Sequence, residues 1–272
     1  METVKRCITG QHTRAEIRWH LALLAIGYWV LVYFAWRGYT AERPYSVMTH
    51  TLSALGSFDD HHNPEWFWLF SVAMVYCGVA MIPIILYIRR QLSVMSEAGA
   101  WIGSLFFILG CIAIILTGVF PDAHGKVIGD WEWRQIHLKT AVTIAVGFGA
   151  GVLWHAVFLF LDMFRRGTFS DSGNLAYLKL MGPFSVTLPI FAAMGLRLDW
   201  GYLYGALHAA VSSSKEEMHT YWEVAVKGLH YFPLLEHMAI WGLTLFVIWF
   251  AAVLSYQTEQ RYSVAVRSQS GP

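Results

Sequence analysis

The chain has 272 residues, of which 56% are hydrophobic and only 14% charged, with a formal net charge of +1 and a mean hydropathy of +0.46. A soluble domain carries about 25% charged residues; here the few charges are clumped, leaving stretches of about 20 residues almost free of them, enough to cross a hydrocarbon layer of about 30 Å. This excludes a soluble enzyme, a secreted disulfide scaffold and a disordered tail, and predicts an all-α membrane protein, a single integral domain built as a six-transmembrane helix bundle.

The six spans are predicted, in chain order, over residues 17–36, 66–88, 100–120, 138–161, 178–196 and 234–256. Each is rich in Leu, Ile, Val, Phe, Ala and Trp and keeps its charges near the ends. A charge at mid-helix costs about 2.5–3.5 kcal/mol on insertion scales, so this avoidance marks spanning segments. Backbone groups in lipid have to be satisfied within the segment, which makes each span a helix. The fifth contains Pro183 and Pro189 and is expected to kink. Residues 215–232 read as an outer interfacial helix, with Met218, Tyr221, Trp222 and Leu229 apolar and Lys215, Glu216, Glu217 and Glu223 polar.

Basic residues set the expected orientation. Lys5, Arg6, Arg14 and Arg18 precede the first span, Arg89 and Arg90 follow the second, Arg165 and Arg166 the fourth, and Arg261 and Arg267 the sixth. All four groups fall on one side, which the positive-inside rule makes cytoplasmic, together with both termini. No short apolar region with a small-residue cleavage site opens the chain, so the first span is read as an uncleaved anchor. Cys7, Cys77 and Cys111 are too few and scattered for a disulfide framework, and the latter two read as small buried hydrophobes. Membrane lipid is the expected partner. Nucleic acid is not, because no basic face is interleaved with aromatics.

The connections on the two sides differ. Those at 89–99 and 162–177 look like plain turns, whereas the outer segments at 37–65, 121–137 and 197–233 carry the unusual residues. Nine of the twelve histidines map to that outer side: His50, His61, His62, His124, His137, His208, His219, His230 and His237. Asp59, Asp60, Asp122, Asp130 and Asp199 join them. Histidine is the commonest metal ligand and the natural proton carrier near neutral pH, although at headgroup depth it serves equally as an interface anchor. Ser46, His50 and Ser53 would share a face if their segment were helical. Asp59-Asp60-His61-His62 is a dense run of metal-ligand types, or a solvated loop ahead of a helix. Asp122 and His124 follow the Pro121 that ends span three, His137 heads span four, and His237 enters span six one turn after Pro233. Four helix ends could thus bring four ligands to one point. His155, inside span four, reads as a hydrogen-bonded structural histidine.

Two resemblances follow from these residues. Ser46-x-x-x-His-Thr-Leu-Ser-Ala-Leu-Gly56, Asn63-Pro64, Gly118-Val-Phe-Pro121 and His137 resemble, over about residues 20–160, the family known as domain of unknown function 998. That resemblance implies a six-span integral membrane protein of microbial type, hence a bacterial inner membrane, and no agreed activity. Ser46-x-x-x-His50 followed by Thr-Leu-Ser is also similar to the Ser/His helix motif of alkaline ceramidases and related membrane hydrolases. This second likeness implies zinc-dependent amide hydrolysis, with Asp60 near the acidic position. The chain departs from it in having no His-x-x-x-His in span six and one span fewer.

Two classes of function are expected. In the first, a metal-dependent hydrolase or lipid-modifying enzyme of the outer leaflet, His50, His124, His137 and His237 hold a zinc ion with a position left for water. Asp60 or Asp122 orients that water or takes its proton, and Ser46 hydrogen-bonds a ligand or the departing group. In the second, the chain is a non-enzymatic lipid or small-molecule binder or a membrane assembly protein. A secondary transporter ranks below both, because the spans lack charge at the midplane.

Overall fold

The computed structural model describes residues 6, 8–39, 44–47, 50–58, 64–123, 125–166, 179–192 and 232–269. Six helices account for most of them: α1 (Arg14–Arg37), α2 (Phe67–Leu92), α3 (Glu97–Val119), α4 (Trp133–Arg166), α5 (residues 179–192) and α6 (Phe232–Gln269). Five are long and apolar enough to cross a membrane, α5 being shorter within the described residues. The protein is an all-α membrane protein. The expected interfacial helix at 215–232 lies outside the described residues except for Phe232, where α6 begins.

The caps explain the boundaries. Thr13 opens α1 with a capping box: its hydroxyl accepts from the Glu16 amide at 3.3 Å while the Glu16 carboxylate accepts from the Thr13 amide at 2.7 Å. Ser96 caps α3 by accepting from the Gly99 amide. Pro183 and Pro189 both sit inside α5, where the Ser185 and Thr187 hydroxyls donate to the carbonyls of Gly182 and Pro183.

Consecutive helices pack antiparallel. Between α3 and α4 the approach is close: a Cβ on Gly147 would stand 2.8 Å from the Gly110 amide nitrogen, and one on Gly103 2.4 Å from the His155 ring. Small residues at such crossings let helices reach van der Waals contact in lipid, where water does not drive them together. His155 is fully buried there, stacked on Phe107 with its Nδ1–H donating to the Gly151 carbonyl at 2.7 Å. Cys77 and Cys111 are buried free thiols.

One end of the bundle is basic. Arg89 stacks over Trp101, and Arg14 and Lys179 both lie over the Tyr256 ring, bringing the starts of α1 and α5 to the far end of α6. At the opposite end the connections carry short structure of their own. A 3-10 turn occupies Leu52–Gly56, and a two-stranded antiparallel hairpin joins β1 (Val127–Ile128) to β2 (Trp131–Glu132). The sequence reading expected no strand. Gly129 makes this one, taking φ +58 at the first central position of a two-residue turn, where a β-carbon would be strained.

Candidate functional site

The polar residues at the end opposite the arginines gather where the segment after α1 meets the head of α6. Its backbone frame comes first. The Glu65 amide donates to the Gly38 carbonyl at 3.0 Å, tying the end of α1 to the approach to α2. The His50 amide donates to the Ser46 carbonyl at 2.8 Å, and the Ser46 amide donates back to His50 Nδ1 at 3.3 Å. Ser46 and His50 therefore close a turn. Among the described residues there is no helix through Ser46, His50 and Ser53, but this turn and then the 3-10 segment, in which the Ser53 hydroxyl pairs with that of Thr51 at 3.0 Å.

Tyr45 is the hub. Its hydroxyl donates to the Thr51 carbonyl at 3.2 Å and stands 2.5 Å from His237 Nε2. A phenol has one proton, so when it bonds Thr51 the His237 Nε2–H donates to it, and when it donates to His237 the Thr51 contact lapses. The two arrangements place the single proton of the neutral His237 ring on different nitrogens, Nε2 in the first and Nδ1 in the second. Burial first, and then the Glu236 carboxylate and the Tyr39 phenol, push the Tyr45 phenol well above its usual range, so it stays protonated. The ring packs against Tyr39, His50, His237 and Trp36, and His237 against Trp241.

Glu236 lies beside His237. Its carboxylate accepts the amides of Leu52 and Ser53, the first free N–H groups of the 3-10 turn, and so caps that turn from another helix. Its Oε2 is buried with no hydrogen-bond partner. Asp122 is within electrostatic range of Glu236; it faces Arg134 Nε at 3.7 Å, and its Oδ1 is likewise buried without a hydrogen bond.

His137 is 6% exposed and donates from Nδ1 to the Phe120 carbonyl at 2.9 Å, which leaves Nε2 with the lone pair in the neutral ring. Below it the Thr140 hydroxyl donates to the His137 carbonyl and accepts from that of Thr117.

The structure thus joins His237 to the turn holding Ser46 and His50, with Asp122 nearby. Asp60 and His124 lie outside the described residues, as do Asp59, His61, His62, Asp199, His208, His219 and His230. Among the described residues, no three His, Cys, Asp or Glu side chains stand together as a ligand set. In the neutral ring of His50, accepting at Nδ1 puts the proton on Nε2, so ligation through Nδ1 would have to displace the Ser46 amide. His237 has Nε2 engaged by Tyr45.

Glu236 and Tyr45 were not among the candidates drawn from the sequence. A signal existed for Glu236, the only charged residue between Leu234 and Tyr256, since an ionisable group inside an apolar span is a functional candidate by default. Tyr45 carried none, because its role depends on a partner 192 positions away.

A second feature opens at the same end. An apolar groove of about 520 Å³ runs between α2 and α3, lined by Ser71, Val72, Val75, Tyr76, Gly118 and Val119 among others.

No curated protein and no solved structure matches the chain. A family match does exist: it holds Tyr45, Ser46, His50, Asp122 and His137, runs well beyond residue 160 and stops short of Glu236. Residues 23–214 match the family described as protein of unknown function, DUF998, and since they make up more than half of the 272 residues, the chain belongs to that family.

Proposed function

We propose that this protein is a lipid-modifying hydrolase working at the outer face of a bacterial inner membrane, with both termini and the arginine-rich end of the bundle in the cytoplasm. The observation that carries the reading is the pairing of His237 with Tyr45 beside the buried carboxylate of Glu236. In the proposed reaction, opening of the contacts over His237, which is 1% exposed in the resting fold, admits a water molecule whose proton the neutral imidazole accepts. The resulting hydroxide attacks an ester or amide carbonyl of a lipid at headgroup depth, and the same proton then goes to the departing group. Tyr45 holds the imidazole through the bond between its hydroxyl and His237 Nε2. Asp122 orients the water, and Ser46 needs no direct part in the step. The groove between α2 and α3 gives an acyl chain a place to lie.

Zinc is the second reading, with His50, His124, His137 and His237 as ligands and Asp60 or Asp122 as the water's base. It is supported by His137, whose Nδ1–H on a backbone carbonyl is the bond that aims Nε2 in metal-ligating histidines. Elemental analysis of purified protein, with and without His137→Ala, separates the two: the acid–base reading expects turnover that survives chelation, the zinc reading a stoichiometric metal lost with His137.

For the main reading, purified protein is incubated with a panel of phospholipids and N-acyl lipids and the products weighed by mass spectrometry. His237→Gln should lower turnover by about 10²–10⁴-fold, the range for loss of a general base, and Ser46→Ala should cost far less. Wild-type protein that leaves the whole panel intact while retaining co-purified lipid would move the assignment to a binding protein.

A further inference from the structure

A second group of polar side chains converges at the opposite end of the bundle from Tyr45 and His237, and the candidate site makes no use of it. Arg14 is the first residue of α1, and Tyr256 ends the apolar stretch Glu236–Tyr256 of α6. The 21 residues of that stretch rise about 30 Å, the thickness of the hydrocarbon layer, which sets Tyr256 at headgroup depth. The Arg14 guanidinium carbon is 5.2 Å from the centroid of the Tyr256 ring and the Lys179 ammonium 5.9 Å. Cations from α1 and α5 thus flank one aromatic side chain of α6.

A ring face attracts cations but carries no net charge, so it cannot cancel two of them. Lys179 is exposed and makes no ion pair among the described residues. Glu16, the acidic residue in the first turn of α1, is already engaged, since its carboxylate accepts from Arg6 and from the Thr13 amide. Tyr256 is exposed as well, and among the described residues its hydroxyl makes no hydrogen bond. A guanidinium, an ammonium and a phenolic O–H are all donors, so the group that suits all three is an anion with several acceptor oxygens. Phosphate has that form: it takes paired N–H groups from arginine and a point charge from lysine. At headgroup depth it is also the anion that phospholipids present, and basic crevices between spanning helices are where such headgroups are held.

From this convergence we infer that Arg14, Lys179 and Tyr256 form a binding site for a phosphate group with an uncompensated negative charge. Its position at the ends of two spans makes the ligand the headgroup of an anionic phospholipid, although an inorganic phosphate ion offers the same chemistry. The site stands apart from the hydrolase reading, because a lipid held here ties the ends of α1, α5 and α6 together at the membrane surface and takes no part in turnover.

The test is lipid binding. Purified full-length protein in a non-ionic detergent is titrated with dioctanoyl phosphatidylglycerol and, in parallel, with dioctanoyl phosphatidylcholine, and bound lipid is counted by native mass spectrometry. Phosphatidylglycerol should bind saturably. Phosphatidylcholine, whose trimethylammonium offsets the phosphate charge, should bind at least about tenfold more weakly. Arg14→Gln and Lys179→Gln should each weaken phosphatidylglycerol by about tenfold or more, because each removes a charge-assisted hydrogen bond. Tyr256→Phe keeps the ring, removes the hydroxyl and should weaken it severalfold. Lys179 is on an exposed side chain, so Lys179→Gln decides the matter if Arg14→Gln does not fold. Arg89→Gln is the control: Arg89 belongs to the same basic end but lies over Trp101, 4.2 Å from its ring centroid, and its loss should leave binding unchanged. Displacement of the lipid by inorganic phosphate at similar concentration assigns the site to a soluble ion, and displacement by anionic lipid alone assigns it to the headgroup. Equal binding of the two lipids, unchanged binding in any folded site variant, or an equal loss in Arg89→Gln overturns the inference and leaves only the general attraction of a basic surface for anions.

Discussion

At the scale of single residues, Tyr45 is the side chain on which most depends. Removing its hydroxyl in Tyr45→Phe breaks the bond to the Thr51 carbonyl and leaves His237 Nε2 without its phenolic partner. His237 is 1% exposed, so no surface water replaces that partner freely. The expected loss is about 1–3 kcal/mol of stability, readable as a lower melting temperature in detergent, together with reduced turnover. The pH dependence has a definite sign. Because folded Tyr45 holds its proton more tightly than a free phenol does, its contribution is complete below about pH 10, the ordinary phenol value, and is lost as the pH rises beyond it. Tyr45→Phe should therefore flatten part of the alkaline fall in melting temperature; an unchanged alkaline limb would contradict the buried, neutral phenol. This residue also shows what the sequence could not convey. His50, Asp122 and His237 stand out by type and by position at span ends, but the hydrogen bond that makes His237 useful comes from a tyrosine indistinguishable in sequence from an interface anchor.

The helices were far more legible than their contacts. Runs of apolar residues bounded by Thr13, Ser96 and the arginines announce helices directly, because length and hydropathy are local properties. The short hairpin was missed because it is only two residues per strand, too few for an alternation pattern, with Gly129 its one mark. Helix pairing is different again: it depends on which glycines face a neighbour. Gly147 and Gly149 lie two positions apart on α4 and look alike in sequence. A methyl group on Gly147 would meet the backbone of α3, at 2.8 Å from the Gly110 nitrogen and 2.9 Å from the Phe106 carbonyl, whereas one on Gly149 finds only the Phe191 ring at 3.7 Å. Backbone cannot rotate aside as a side chain can. Gly147→Ala should cost about 1–3 kcal/mol through overpacking, and Gly149→Ala should be neutral or gain up to about 1 kcal/mol from helix propensity. Thermal unfolding followed by size-exclusion chromatography compares the two, and equal melting temperatures would mean that α3 and α4 do not approach closely.

Across the whole molecule, the arrangement separates a basic end from the end that holds the candidate site. The turn between α2 and α3 lies at the first, near Arg89 and Arg90, and the β1–β2 hairpin between α3 and α4 lies at the second. One helix, α3, divides them, and at 1.5 Å per residue it is long enough to cross the hydrocarbon layer. Charge then decides which end is which: moving arginines outward across a membrane is disfavoured, so the proposed orientation puts the α2–α3 turn in the cytoplasm and the hairpin outside. Val94 and Val127 are 60% and 58% exposed and suit a direct measurement. In a background lacking Cys7, and with Cys77 and Cys111 buried in the bundle, Val127→Cys should react with a membrane-impermeant maleimide on intact cells. Val94→Cys should react only after permeabilisation. The reverse pattern would put Tyr45, Glu236 and His237 on the cytoplasmic face and rule out outer-leaflet lipid as the substrate. Labelling of both positions on intact cells would mean that α3 does not separate two compartments, and the spanning arrangement itself would fail.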